Sequence, residues 1–330
     1  MIFRILIAVC LLLAAPVNAE CTNRDLIAAL PAHERATLTT TSEAIPFHKG
    51  LLWRATKDDT RLTVFGTYHL LHEATERHLA QITPYLDAAD IVFLEMNLAD
   101  TEAFERRVKN DPSLMVNTDG PTLPELLSEE DWQMLSDELR QRSIPPFFIA
   151  KMKPIWVSFM LAMPTCSDIP AAQLNRGIDR LIAEYIAGQG YDNRSLDDAE
   201  ALVALFNGFS LREQTAMITS YLRSDLDIND MMFTLLKYYK SGDSALIWEF
   251  NRLLSLQTEE PHAAEDFDTF ARRLLHDRNA QWVATLLQDA IGTSSFIAVG
   301  AAHLPGDAGV LQLLQDQDFT ITAMAFEGEE

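Results

Sequence analysis

Two short stretches of this 330-residue chain share one grammar. Residues 62–72 read LTVFGTYHLLH, and residues 296–306 read FIAVGAAHLPG. In each, an apolar run that reads as a buried strand meets a glycine, and a histidine follows three residues later: Gly66 with His69, and Gly300 with His303. A third apolar run, IVFLE, closes on Glu95. Two imidazoles and a carboxylate are a usual ligand set for a catalytic divalent metal with open positions, and Zn, Mn, Co or Fe would each be chemically acceptable. Spacing alone leaves a second reading open. A four-residue motif recurs easily, and a histidine at a strand end is often a hydrogen-bonded structural residue.

The histidines are 303 − 69 = 234 residues apart, so only a fold that aligns the three strand ends can bring them together. Sites in open α/β sheets form at the carboxyl ends of parallel strands, where a glycine lets the chain turn sharply and approach a ligand. Residues 51–55 and 62–65 read as a hairpin turning on Lys57-Asp58-Asp59-Thr60. Leu79, Ile82, Tyr85 and Leu86 then recur at helical spacing, before the apolar run DIVFLEMN. That strand–helix–strand order predicts a parallel βαβ unit. The C-terminus repeats it: RNAQWVATLLQDAIG is a helix with Trp282, Leu286 and Leu287 inward and Gly292 as its stop, followed by SSFIAVG, GDAGVLQLLQDQ with Asp307 near its start, and FTITAMAF. Between the two ends, residues 101–278 read as mostly helical, with the capping pattern Ser128-x-x-Asp131 among the signals. The fold class is therefore α/β: a mixed sheet built from N- and C-terminal βαβ units, with a large helical insertion as a cap on a single domain over residues 20–330.

Composition narrows the partners. Lys and Arg number 26 against 48 Asp and Glu, a net charge of −22. So acidic a surface repels phosphate backbones, which argues against nucleic acid. Residues 1–19 read as a cleaved secretory signal peptide: Arg4, an apolar run over residues 5–15, Pro16, and the small-residue pattern ending at Ala19. The expected location is secreted or periplasmic. Cleavage leaves Cys21 and Cys166, an even number in an oxidising compartment, so a disulfide between them is expected. The stretch FFIAKMKPIWVSFMLAMP is broken by Lys151, Lys153 and Pro154 and is too short to span a bilayer. It reads as a buried or groove-lining helix starting near Pro154, and the mature chain is expected to be soluble, without stable membrane insertion.

Standard catalytic motifs are missing. His72-Glu73 and His33-Glu34 begin like H-E-x-x-H but meet Glu76 and Thr37 where the second histidine belongs. There is no G-x-S-x-G, phosphate loop or G-x-G-x-x-G. His72 and His78 are expected on an exposed helix surface, and His33, His48, His262 and His276 receive no role.

Several stretches together resemble a known family: FHKGLLWRATKDDTRLTVFGTYHLLH, IVFLEMN, RGIDRLIAEYIAGQG, YYKSGD, RNAQWVATLL and FIAVGAAHLPGDAGVLQLLQDQDFTITAM. On these residues the chain resembles the TraB/GumN/PrgY family, which includes the Tiki proteins, proteases acting on Wnt. The likeness runs over residues 47–324 and is weakest in the central helices. It implies a fold related to the erythromycin-esterase and ChaN-like group, and metal-dependent peptide hydrolysis in the Tiki branch. His69 and His303 match the two motif histidines, Glu95 the motif glutamate, and Arg278 and Asn279 the RN pair. Tyr68 departs from the usual G-T-[IV]-H and places a bulky aromatic beside the histidine.

The leading expectation is thus a secreted or periplasmic metal-dependent hydrolase, peptidase-like, acting on a peptide or protein. His69, His303 and Glu95 would hold a divalent ion (Mn, Co or Zn), with Glu95 alternatively the general base. Arg278 would stabilise an oxyanion or hold a substrate carboxylate, or simply pair with an acidic neighbour. The rivals are a non-catalytic protein of the same fold that sequesters a peptide or haem, and a metal-dependent esterase.

Overall fold

The computed structural model describes residues 21–326 apart from residues 168, 259 and 260. The expected signal peptide lies outside the described residues. Among the latter, six strands form one mixed sheet: β1 (Leu52–Lys57), β2 (Thr60–Thr67), β3 (Ile91–Leu94), β4 (Asn193–Ser195), β5 (Ser294–Gly300) and β6 (Thr320–Ala323). All four residues of β3, Ile-Val-Phe-Leu, are buried. A strand with no polar face needs cover on both sides, which places it inside a layered α/β sheet. The spatial order is β4-β3-β5-β2-β1-β6.

β1 and β2 make the expected hairpin, from Leu52 opposite Phe65 to Lys57 opposite Thr60, with Asp58 at positive φ in its turn. The pairs β2–β5, β5–β3 and β3–β4 are parallel. β6 pairs antiparallel with β1, and so runs in the same direction as β2. The strands of each anticipated βαβ unit do run the same way, but they are not neighbours. β5, from the C-terminus, is inserted between β2 and β3. The two ends of the chain are therefore interleaved in one sheet rather than stacked as two units.

One face of the sheet buries Val64, Phe93, Ile297 and Val299 against the Asp277–Asp289 and Val310–Gln315 helices, through Trp282, Leu286 and Leu311. The other buries Phe65, Val92, Phe296 and Ala298 against the Thr75–Asp87 and Ile178–Gln189 helices, through Ile82, Leu86, Ile182 and Ile186. Each large apolar side chain taken from water contributes roughly 1.5–3 kcal/mol, so this double-sided core is the main support of the strand ends.

The expected insertion needs a correction. It is helical over most of its described length and has its own core around Leu123, Leu135, Ile155 and Ile218. It also supplies β4 to the sheet, so it is woven into the α/β core and is not purely a helical cap. The predicted local signals hold within it. Ser128 caps the Glu129–Gln141 helix by accepting from the Asp131 N–H, and Pro154 opens the Pro154–Leu161 helix. A second correction concerns His72 and His78, which are buried, not exposed. The Thr75–Asp87 helix turns this face to the sheet, and the His78 ring lies 4.9 Å from Phe326 and 5.2 Å from His72. Cys21 and Cys166 form a disulfide. Among the described residues, no helix is long and apolar enough to cross a membrane.

Candidate active site

The carboxyl ends of β2, β3 and β5 meet at one edge, and the predicted side chains meet there with them. Glu95 follows β3 directly, His69 lies two residues past the end of β2, and His303 closes the Ala301–His303 3-10 turn that follows β5. Gly300 marks the point of convergence. A Cβ at that position would stand 3.2 Å from Glu95 Oε1, 3.5 Å from His69 Nε2 and 3.5 Å from His303 Cδ2. Its N–H donates to Glu95 Oε1 at 2.6 Å. Gly66 has a different use: a Cβ there would press on the Ala301 backbone, so it lets the two Gly-x-x-His turns pack on each other.

The Asp277–Asp289 helix supplies the rest. A widened π-helical stretch, Arg272–His276, precedes it, a local irregularity often found at functional sites. Arg278 then donates from Nη2 to Glu95 Oε2 at 2.8 Å and to Asp197 Oδ2 at 2.7 Å, and its Nη1 lies 3.3 Å from His303 Nε2. Its guanidinium carbon sits 4.5 Å over the Trp282 ring, which packs on His303 with ring centres 4.4 Å apart. Asn279 Oδ1 lies 2.6 Å from His303 Nδ1, while its amide donates to the Ala308 carbonyl at 2.8 Å. That arrangement places the His303 proton on Nδ1 and leaves the Nε2 lone pair facing Arg278 and, at 3.9 Å, Glu95. On the open side, His69 Nδ1 lies 3.4 Å from Asp179 Oδ2.

The electrostatics follow from these contacts. Burial works to raise the Glu95 pKa, but the cationic forms of its neighbours and the Gly300 N–H hold it down to about 2. Burial beside the Arg278 cation lowers the His303 pKa to about 3, against the pull of Glu95, so His303 is neutral at physiological pH. Desolvation of His69 is outweighed by the charge and hydrogen bond of Asp179 and the charge of Glu95, which raise it to about 9. Its side chain is 62% exposed, so solvent screens these interactions.

All five predicted residues, His69, Glu95, Arg278, Asn279 and His303, are thus gathered at one edge. Sequence reasoning missed Asp197 and Asp179. β4 is three residues of half-buried Asn-Arg-Ser, without the apolar pattern that signals a strand. Yet its continuation runs beside Glu95, with the Asp197 N–H donating to the Glu95 carbonyl at 2.9 Å. Asp197 is buried and also accepts from Trp282 Nε1 at 2.8 Å. The available signal was the Asp197-Asp198 pair: Asp198 caps the Ala199–Asn207 helix, leaving its neighbour to face inward. Tyr68 stacks on Tyr239, ring centres 5.0 Å apart, and so packs the loop that carries His69.

A cavity of about 160 Å³ lies over the site, lined by His69, Glu95, Asp179, Asp197 and Arg278 among others. At roughly 30 Å³ per water it holds a few waters or one small reacting group. A larger groove of about 610 Å³ adjoins the same loop, walled by Tyr68, Leu70, Leu71, Met232, Phe233 and Leu236.

The residue types at this edge, two imidazoles and a carboxylate, are ones that can ligate a divalent ion. Each histidine has its Nδ1 beside an oxygen acceptor and its Nε2 turned inward, the arrangement that outer partners impose on metal-binding imidazoles. Among the described residues, no group of three or more His, Cys, Asp or Glu side chains is placed to hold a metal ion. Arg278 faces both His303 Nε2 and Glu95, so it would have to yield part of this contact on loading.

A mixed α/β fold with a His-Glu-His edge braced by an arginine defines the class. The chain belongs to the TraB/PrgY/gumN family, whose model matches residues 51–323. It is similar to "Metalloprotease TIKI homolog" of Nematostella vectensis, 26% identical over 202 residues, covering 54% of this chain and 42% of that one. It is similar also to "Metalloprotease TIKI2" of Danio rerio, 22% identical over 306 residues, covering 78% of this chain and 57% of that one. The chain thus spans about half the length of these curated relatives. No solved structure matches it.

Proposed function

We propose that this chain is a metal-dependent hydrolase acting on peptides. The observation that carries the reading is the meeting of His69 Nε2, the His303 ring and the Glu95 carboxylate around Gly300. Family membership and the similarity to proteins named as TIKI metalloproteases support it. A relation to the erythromycin-esterase and ChaN-like folds, export through a leader over residues 1–19, and a single domain over residues 20–330 belong to the same proposal.

In this reading His69, His303 and Glu95 hold the ion, or Glu95 serves as the base beside it. A divalent ion there would lower the pKa of water and polarise the scissile carbonyl. Asn279 keeps His303 in the tautomer that offers Nε2. Arg278, anchored by Asp197, presents cationic N–H groups to a developing oxyanion or a substrate carboxylate. The apolar groove beside Tyr68 supplies room for side chains that flank a scissile peptide, which favours a peptide over a small ester.

The test is elemental analysis of protein purified without chelators, followed by add-back of Mn, Co or Zn and turnover of a peptide library against simple esters. Metal-stimulated peptide cleavage supports the reading. Peptide binding without turnover at any metal favours sequestration.

A further inference from the structure

We propose that Asp179 is the positioning residue of His69: in the neutral imidazole it holds the proton on Nδ1 and so directs the Nε2 lone pair toward Glu95 and Gly300. The inference rests on the hydrolase reading only for what Nε2 then meets. It comes from the way the Ile178–Gln189 helix docks on the His69 loop.

The docking is close and fixed at several points. Ile178 N–H donates to the Tyr68 carbonyl at 3.2 Å, and Leu71 N–H donates to the Leu174 carbonyl at 2.8 Å. Between these bonds lies Gly177, the N-cap of the helix. A Cβ at Gly177 would fall 2.3 Å from the His69 carbonyl carbon and from the Tyr68 oxygen. No side chain fits there, so only glycine lets the helix start press against the histidine's own backbone. Asp179 is the acidic residue of that first helical turn, where a carboxylate is favoured by the helix dipole. The nearby Arg176, three residues earlier, and Arg180 both turn to Glu184, at 2.6 and 2.8 Å. Asp179 alone of the three is turned to His69, with Oδ2 3.4 Å from Nδ1. An exposed imidazole without such an acceptor would divide its proton between two nitrogens and its ring among rotamers.

The experiment uses ¹⁵N-histidine-labelled, metal-free protein titrated above the His69 pKa of about 9, where the ring is neutral, and reads its tautomer from two-bond ¹H–¹⁵N couplings. The parent is expected to show the Nδ1–H form. Asp179→Ala is expected to lose that preference, and Asp179→Asn, whose carbonyl still accepts, to keep most of it. Cobalt binding to the same proteins by titration calorimetry is expected to weaken about 10–100-fold in Asp179→Ala and to recover in Asp179→Asn. An Nδ1–H tautomer that persists in Asp179→Ala overturns the inference, as does an Nε2–H parent. If Asp179→Ala does not fold, the parent and Asp179→Asn spectra still decide it, since loss of the Nδ1–H form in folded Asp179→Asn also refutes the role. A parent with the expected tautomer but no affinity for cobalt would defeat the metal reading and leave the positioning role intact.

Discussion

Arg278 stands between His303 and Glu95, with Nη1 3.3 Å from His303 Nε2 and Nη2 2.8 Å from Glu95 Oε2. A single guanidinium thus neutralises the carboxylate, adds to the burial that keeps the histidine uncharged, and is itself anchored by buried Asp197. Its removal strands that aspartate. Arg278→Ala is expected to cost about 3 kcal/mol, the scale for leaving a buried charge unpaired. The double variant with Asp197→Asn should recover part of the loss, because the second change removes the stranded charge. Urea unfolding of the two single variants and the double measures the coupling, and strict additivity would contradict it.

The histidines should be individually indispensable. His69→Ala and His303→Ala are each expected to remove metal retention and reduce peptide turnover to background while the far-ultraviolet circular dichroism stays native. Metal stoichiometry and turnover on the same samples provide the check, and full activity in either variant would sink the catalytic reading.

Glu95→Gln separates two roles. If Glu95 is a ligand, the amide weakens metal retention. If it is the base, the ion stays and the rate falls by about 10²–10⁴-fold, since the amide cannot accept the proton. Metal stoichiometry and turnover of Glu95→Gln, measured on the same sample, distinguish the two roles.

The Cys21–Cys166 disulfide closes a separation of 145 residues. It pins a segment that also reaches the Ile228–Lys240 helix through Thr22 and Arg24 on Asp230, and through Leu26 on Thr234. Cys21→Ser with Cys166→Ser is expected to lower stability by about 2–4 kcal/mol, the usual range for such a link. It should also expose residues 22–30 to limited proteolysis. Melting curves and mapping of the first cleavage sites test both.

Asp131 supplies a pH dependence away from the site. It accepts from Arg223 at 3.0 and 2.8 Å, and these bonds, against the opposing effect of burial, hold its pKa below the ordinary value of 3.8. A carboxylate with a depressed folded pKa contributes stability above its unfolded pKa, and that contribution disappears as pH falls through the folded value. Arg223 is half exposed, so Asp131→Asn is expected to cost only about 1–2 kcal/mol at pH 7. The gap to the parent should close as the pH falls below 3.8 toward acid. Denaturant midpoints at several pH values measure it.

Much of the local structure was legible because each signal is local. Pro154, Ser128 and the apolar runs of β3 and β5 act through neighbouring backbone, so position in the sequence is enough to read them. The burial of His72 and His78 is not legible for the complementary reason. Their polarity suggests solvent, but their burial depends on Tyr239 and Phe326, which arrive from distant parts of the chain.

Local pattern is enough to place the strand ends and their chemistry: an apolar run can only be satisfied by burial, a glycine and then a histidine follow it, and Glu95 closes a third such run. Tertiary structure alone decided that β5 lies between β2 and β3, because strand order is chosen by the fit of whole faces to helices and leaves no mark in any one strand. That insertion sets His303 beside Glu95 and opposite His69. It also decided the outer partners. Asp197 comes from a strand with no apolar pattern, and Asp179 from a helix start that meets His69 through a glycine, so both are visible only once the chain has closed on itself.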